Sequence, residues 1–499
     1  MRAGRGVGLG AVLLAMIAVV GAASCRAGQP FAAVAPARAP TSAAANVATQ
    51  VFNYDRFGAV TVYRGRGHPR DVVLFVSGDG GWDLGAASMA QRLADKGAMV
   101  AGIDGRHYRD QLEKASETCV SPSADFENLS HYLQSKWGLK KYLEPTLVGY
   151  ATGATLVYAT LAEAPEGLFK GALSIGFCPD LDLKKQLCKS PDLQSSPRLG
   201  SNGTLQGVDF SPGRELPGQW ISLQGELDRV CPASSVRKFT ATVRGSEMVM
   251  LPGVGHDYAI DEKWLPQFEA AYARLAAIRP AAEISALPAA VADLPLIIVP
   301  AATAGIGDRR DWFGVFLTGD GGWVGLDKGV SAVLAKHNIP IVGWDSLKYF
   351  WSRRTPEGAS RDLERVLRTY SRVWGRAHVL LIGYSQGADT LPFMVNRLPA
   401  ATRELVGFTT LLGISDNAVW EFHVASWLGN PSKGVPTAPE LARWSGSPYL
   451  CLYGESDGDA ACAQLTGHDG DALRMPGGHH FGGQYAEIAD EILSRLPQQ

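Results

Sequence analysis

The chain has 499 residues, 46% of them hydrophobic and 19% charged, an ordinary globular balance that allows two or three domains with sizeable cores. Its formal net charge is -2, and no run of lysine or arginine builds the electrostatic footprint that nucleic acid requires. Nucleic-acid partners are thereby excluded as the expectation.

In chain order, Arg2 and Arg5 precede an apolar stretch from Val7 to Val20, and the small residues Gly21-Ala22-Ala23-Ser24 lead to Cys25. This is the layout of a secretory signal over residues 1–25, removed on export. The apolar stretch falls short of the roughly 20 residues that span a membrane, so an uncleaved anchor is the second reading. Small residues before a cysteine also resemble a bacterial lipoprotein signal, with Ala22 where that motif prefers a larger aliphatic residue; Cys25 is a candidate for lipidation. The expected location is the periplasm, free or anchored to the membrane through Cys25. Residues 26–50 are rich in Ala, Pro, Ser and Thr and read as a tether. A similar stretch, 280–292, separates 51–279 from 293–499.

Six cysteines follow the leader: Cys119, Cys178, Cys188, Cys231, Cys451 and Cys462. An even number suits a disulfide-permissive compartment, with buried free thiols as the alternative. Spacing leaves the pairing open, although Cys178 with Cys188 and Cys451 with Cys462 would close short loops. No CxxC or Cys/His spacing of the zinc-binding kind occurs, so neither a metal nor another cofactor is expected.

The two halves repeat each other. Val72 to Trp82, with Gly78-Asp79-Gly80-Gly81-Trp82, is answered by Phe313 to Trp323, with Gly319-Asp320-Gly321-Gly322-Trp323. Gly149-Tyr150-Ala151-Thr152-Gly153 is answered by Gly383-Tyr384-Ser385-Gln386-Gly387. Two later blocks pair Asp228 with Asp457 and Gly255-His256 with Gly478-His479. Four blocks in one order indicate duplication of a domain of about 200 residues, a common domain size. Apolar runs ending in glycine-rich turns alternate with segments of helical period, which predicts two tandem α/β domains, each a mainly parallel sheet flanked by helices. In the second copy, strands are expected near 296–299, 313–318, 340–344, 379–383, 405–412 and 448–453. Helices are expected near 325–337, 360–374, 386–398 and 485–496.

Gly383-Tyr384-Ser385-Gln386-Gly387 ends an apolar strand and opens a helix, the context of a nucleophile elbow, where flanking glycines relieve crowding around an exposed serine. A serine hydroxyl needs a base to attack at neutral pH, and the base needs a carboxylate to hold its tautomer. Asp457 and His479 follow in the order Ser, acid, His, with Glu455 and Asp459 as competing acids and His480 as the alternative base. For the developing oxyanion, the Gln386 amide supplies one donor and the loop Gly319-Asp320-Gly321 a second. Asp320 is an odd neighbour for an oxyanion and reads, with Trp323, as a substrate-recognition residue able to meet a cation. The first copy has Ala151 in place of the serine, so it is expected to be inactive although Asp228 and His256 persist.

Together the doubled Gly-Asp-Gly-Gly-Trp loop, the elbow running to Ala388-Asp389 and the Gly477-Gly478-His479-His480-Phe481 loop resemble the bacterial VirJ/AcvB virulence-protein family. The resemblance covers most of the chain after the tether. It implies two α/β-hydrolase-like domains behind an export signal and a periplasmic enzyme that hydrolyses aminoacyl-phosphatidylglycerol, lysyl or alanyl, releasing the amino acid. Its partner would then be a membrane phospholipid, met by peripheral or lipid-anchored contact. By motif, Ser385 would be acylated, His479 would serve as base and then acid, and Asp457 would orient it. Since both forms of the lipid carry an α-ammonium, that is the cation Asp320 would meet, an inference from charge and not from the motif. A general exported esterase or lipase is the nearest alternative, and a non-enzymatic periplasmic binding or secretion-associated protein is the alternative of a different class.

Overall fold

The computed structural model describes residues 47–190, 192–259, 261–278, 287–302, 305–306, 309–422, 434–444, 446–457, 461–464 and 470–497. The leader with Cys25, nearly all of the tether, residues 280–286 and the competing acid Asp459 lie outside them. Among the described residues, no helix is long and apolar enough to cross a membrane.

Each half builds its own sheet. In the first the strands are β1 (Ala48–Tyr54), β2 (Gly58–Arg64), β3 (Asp71–Val76), β4 (Ala98–Ile103), β5 (Thr146–Tyr150), β6 (Gly171–Ile175), β7 (Glu215–Gly225) and β8 (Arg244–Leu251), in the order β1-β2-β4-β3-β5-β6-β7-β8. Only β1 and β2 run antiparallel to their neighbours. The second half has β9 (Leu296–Val299), β10 (Trp312–Leu317), β11 (Ile341–Trp344), β12 (His378–Tyr384), β13 (Val406–Leu412), β14 (Tyr449–Gly454) and β15 (Gly470–Met475), in the order β9-β11-β10-β12-β13-β14-β15. From β2 onward the two orders correspond strand for strand, with the antiparallel strand first in each. This is the sheet of an α/β hydrolase.

Burial explains why the runs of the sequence become central strands. Every residue of β3 and of β10 is buried, so neither strand has a polar face to give to water and both must be covered on two sides. The cover is helical: α1 (Leu84–Asp95), α2 (Pro122–Lys136) and α3 (Thr152–Glu163) in the first half, and α4 (Gly325–Lys336), α5 (Pro356–Trp374), α6 (Gln386–Asn396) and α7 (Tyr485–Arg495) in the second. α3 and α6, which follow the elbows, are buried along almost their whole length. Three features depart from the sequence reading. β1 begins at Ala48, inside the span read as tether, and pairs with β2 from Ala48 opposite Arg64. β15 has too few apolar residues to stand out. A small antiparallel sheet of Asp180–Leu181, Gln194–Leu199 and Leu205–Ser211 is inserted between β6 and β7.

Residues 45–499 form one compact unit, and the halves meet through specific contacts. Tyr142, from the segment after α2, clusters with Leu347 and Phe422, and Trp351 packs against them. The Trp351 indole N–H donates to Leu139 O at 2.6 Å. Lys348 Nζ reaches Glu144 at 3.0 Å and Asp345 at 3.4 Å. Burial works against this ammonium, but the two carboxylates outweigh it and hold its pKa above the usual lysine value.

The cysteines pair as Cys119–Cys188, Cys178–Cys231 and Cys451–Cys462. The short loop 451–462 is closed as its spacing suggests; Cys178 and Cys188 are not partners. Backbone bonds from Val120 N to Gln186 O and from Cys188 N to Val120 O, both 2.9 Å, strap Cys188 beside Cys119. Cys178 instead follows β6 and lies beside Cys231, which follows the adjacent strand β7. A non-reducing peptide map of the protein is therefore expected to yield linked peptides for 119–188 and 178–231, and a 178–188 link would contradict this topology.

Candidate active site

Ser385 is the N-cap of α6 at the end of β12, with φ 51° and ψ -119°. A non-glycine residue seldom adopts positive φ, and holding one there costs on the order of 1–3 kcal/mol, which surrounding packing must offset. Crowding makes the glycines obligatory. A Cβ on Gly383 would lie 2.7 Å from Gly387 O, and one on Gly387 would lie 2.3 Å from Leu317 O. The turn thus thrusts the serine hydroxyl out beyond the sheet.

The structure brings Ser385, His479 and Asp457 together. His479 Nε2 is 2.9 Å from Ser385 Oγ, and His479 Nδ1 is 2.8 Å from Asp457 Oδ2. His479 hangs in the loop after β15, and Asp457 in the loop after β14. With Nδ1–H donating to the carboxylate, Nε2 is left as acceptor for the serine proton, the arrangement nucleophilic acyl transfer requires. The competing residues are elsewhere. His480 Nδ1 pairs with the Tyr384 hydroxyl at 2.7 Å, and burial, then His479, lower its pKa. Glu455 faces outward toward Arg474 at 3.3 Å.

Gln386 occupies the first turn of α6, so its backbone N–H is free of an intrahelical partner. Its side chain is turned aside, donating from Nε2 to Val419 O at 3.2 Å. Gly319 backs onto the nucleophile: a Cβ there would lie 3.3 Å from Ser385 Cβ. Gly319, Asp320 and Gly321 line a cleft of about 1380 Å³ together with Ser385, His479 and His480. Trp323 is a correction to the sequence reading. Its ring lies over Gly343 of β11, where a Cβ would come 2.3 Å from the indole, and edge-on to Phe316 at 6.0 Å. It fills the groove that glycine leaves on the sheet and does not line the cleft.

Two residues to which the sequence reading gave no role lie at the site. Gly413 follows β13 at φ 61°, and a Cβ there would lie 3.0 Å from His479 Cε1 and 3.7 Å from Asp457 Oδ2. It must be small for the His–Asp pair to seat; only its place after an apolar strand hinted at this. Asp389, one turn into α6, accepts from Ser415 N at 2.7 Å, and burial holds its carboxyl well above the usual range.

The first half keeps the frame without the nucleophile. Ala151 has φ 50° and ψ -120°, matching Ser385, while His256 Nδ1 is 2.9 Å from Asp228 Oδ2. Among the described residues, Asp228, Cys231 and His256 are the one grouping close enough to ligate a metal, and Cys231 is locked in a disulfide.

The family model described as bacterial virulence protein (VirJ) matches residues 70–171 and 311–499, more than half of the chain and both elbows. This chain belongs to the VirJ family. Among curated proteins none matches. Solved structures similar to it include a candidate dienelactone hydrolase of Klebsiella pneumoniae subsp. pneumoniae, 14% identical, covering 46% of this chain and 99% of that one, TM-score 0.34. An α/β serine hydrolase without a lid from Xanthomonas campestris is 14% identical, covering 47% and 97%, TM-score 0.30. The esterase domain of a Rhodothermus marinus protein is 15% identical, covering 46% and 98%, TM-score 0.30. Likeness at this level says nothing of substrate, and the chemistry of the VirJ-family site rests on its own geometry.

A fluorophosphonate is expected to label the protein at Ser385 and not the Ser385→Ala variant. Gly413→Ala, by displacing His479, is expected to slow labelling roughly 10²-fold, the scale of a 1 Å misplacement. His480→Ala is expected to change the labelling rate little; a loss as large as that of His479→Ala would make His480 the base.

Proposed function

We propose that the second half is a serine hydrolase that cleaves the aminoacyl ester of aminoacyl-phosphatidylglycerol. The observation that carries the ester chemistry is the bonded sequence Ser385 Oγ, His479 and Asp457 at the rim of an open cleft. Membership of the VirJ family supports the lipid substrate, and the carboxylates lining the cleft suit an acyl group that bears an ammonium.

In the first step His479 Nε2 takes the Ser385 proton as Oγ attacks the aminoacyl carbonyl carbon. The oxyanion forms against the Gln386 amide and the loop at Gly319 to Gly321. Collapse breaks the ester bond; His479 returns the proton to the departing glycerol hydroxyl, leaving phosphatidylglycerol and an aminoacyl-Ser385 ester. In the second step His479 deprotonates a water, which attacks the same carbon, and Ser385 recovers its proton as the free amino acid departs. Asp457 holds the imidazole and stabilises its charged form throughout. This reading includes an exported protein working at the outer face of the inner membrane, held there by lipid on Cys25 or by contact with its substrate.

The test uses the chain without residues 1–25, the parent alongside Ser385→Ala, incubated with lysyl- and alanyl-phosphatidylglycerol in mixed vesicles. Amino acid is expected to be released by the parent and not by the variant. No release from either lipid, while a fluorophosphonate still labels Ser385, would overturn the lipid substrate and leave an esterase of other specificity.

A further inference from the structure

The cleft is built from both halves of the chain. Of its charged side chains among the described residues, seven are carboxylates, and Lys189 is the one lysine or arginine. Glu127, Glu163, Glu166, Asp192 and Glu215 come from the first half, Asp320 and Asp327 from the second. Glu127 reaches the loop beside the nucleophile. It projects from α2, which the contacts of Tyr142, Glu144 and Leu139 hold against the second half, and its Oε1 would be 3.4 Å from a Cβ on Gly321. Gly321 adjoins Asp320 and lies two residues from Gly319, which touches Ser385.

We propose that Glu127 of the first half and Asp320 of the second form a cation subsite beside Ser385 that takes the α-ammonium of the acyl group. The proposal rests on the aminoacyl-ester reading above, and gives the first half a part in the reaction: it determines specificity at a nucleophile that only the second half carries.

Three observations support it. Burial, then the charge of Asp320, push Glu127 up to about 8. A group in that state is relieved by an ammonium set between the two carboxylates. Asp327 lines the same cleft, is 1% exposed, and has Oδ1 without a hydrogen-bond partner. Finally, the corresponding loop carboxylate of the first half binds a cation. Asp79, the counterpart of Asp320, is bound by Arg109 Nη1 at 2.8 Å. The strands β4 and β11 set the correspondence, Ile103 with Trp344, and the position of Arg109 falls on Phe350. The loop carboxylate is thus common to both copies, and in the first it is a cation-binding group.

The subsite is tested with two soluble esters that differ in the ammonium alone, p-nitrophenyl alaninate and p-nitrophenyl propionate. The parent is expected to have the lower KM for alaninate. Glu127→Gln is expected to raise that KM by roughly tenfold or more, the scale of a lost hydrogen bond between charged groups, with kcat little changed and propionate turnover unaffected. Asp320→Asn is expected to raise the alaninate KM as well. Equal losses on both esters in Glu127→Gln, or a parent that does not distinguish the esters, would overturn the subsite. The two proposals fail separately. A parent that prefers alaninate but releases nothing from aminoacyl-phosphatidylglycerol removes the lipid and keeps the subsite. A parent that cleaves the lipid, with a Glu127→Gln variant impaired alike on both esters, does the reverse.

Discussion

The positive φ at Ser385 is the constraint on which the rest of the site depends. One backbone torsion turns the chain from strand to helix in a single residue, frees the amide of Gln386 and carries the hydroxyl clear of the sheet. Such a torsion persists only where its surroundings over-determine it. Here they do so from three directions: β10 and β13 flank β12 in register, α6 is buried behind it, and the carbonyl of Leu317 stands where any side chain at 387 would be. The His–Asp pair then needs only two loops from the neighbouring strands β14 and β15 to reach the serine.

The first half separates what the frame needs from what the chemistry needs. Ala151 keeps the torsion, so the strain belongs to the fold and outlasts the nucleophile. Asp228 keeps its bond to His256 and also accepts from Val230 N at 2.9 Å, Cys231 N at 2.8 Å and Gln224 Nε2 at 3.0 Å. A carboxylate that satisfies a loop in this way has a structural reason to persist without a serine to serve. Removing it would leave buried donors unpaired, which costs more than an absent hydrogen bond adds.

The sequence made legible what is set by local spacing. The elbow, the order of serine, acid and base, and the alternation of strand and helix each lie within a short window, and the structure places them as the spacing implies. The choice between His479 and His480 was not local, because it turns on which imidazole the Tyr384 hydroxyl holds. Trp323 looked like a recognition residue because it recurs in both copies. It recurs because Gly102 and Gly343 each leave a groove that an indole must fill. Gly413 left no mark beyond its place after an apolar strand, and Glu127 left none. One is a lone glycine whose neighbours come from later loops, and the other lies on a helix of the opposite half. Cys178 illustrates the same limit: nearness along the chain favoured Cys188, whereas adjacency of two strands gave it Cys231.

Placing carboxylates around an ester-cleaving serine carries a cost, since negative charge opposes the oxyanion that must form there. The arrangement becomes favourable when the acyl group brings its own positive charge, because the ammonium then screens the carboxylates from the oxyanion within one substrate. A neutral acyl group brings no such screen, and so discrimination is expressed where the cation sits and not where the bond breaks. Burial sharpens this. Glu127, pushed up to about 8, is largely protonated at neutral pH while the cleft is empty. An ammonium beside it lowers that pKa, so binding a cation releases a proton and turns a neutral acid into a charged partner. Hydrolysis then shifts the balance: the acyl carbonyl becomes a carboxylate beside the ammonium, and the carboxylates of the wall oppose this new negative charge. The acidity that selects the substrate thus also favours departure of what it becomes.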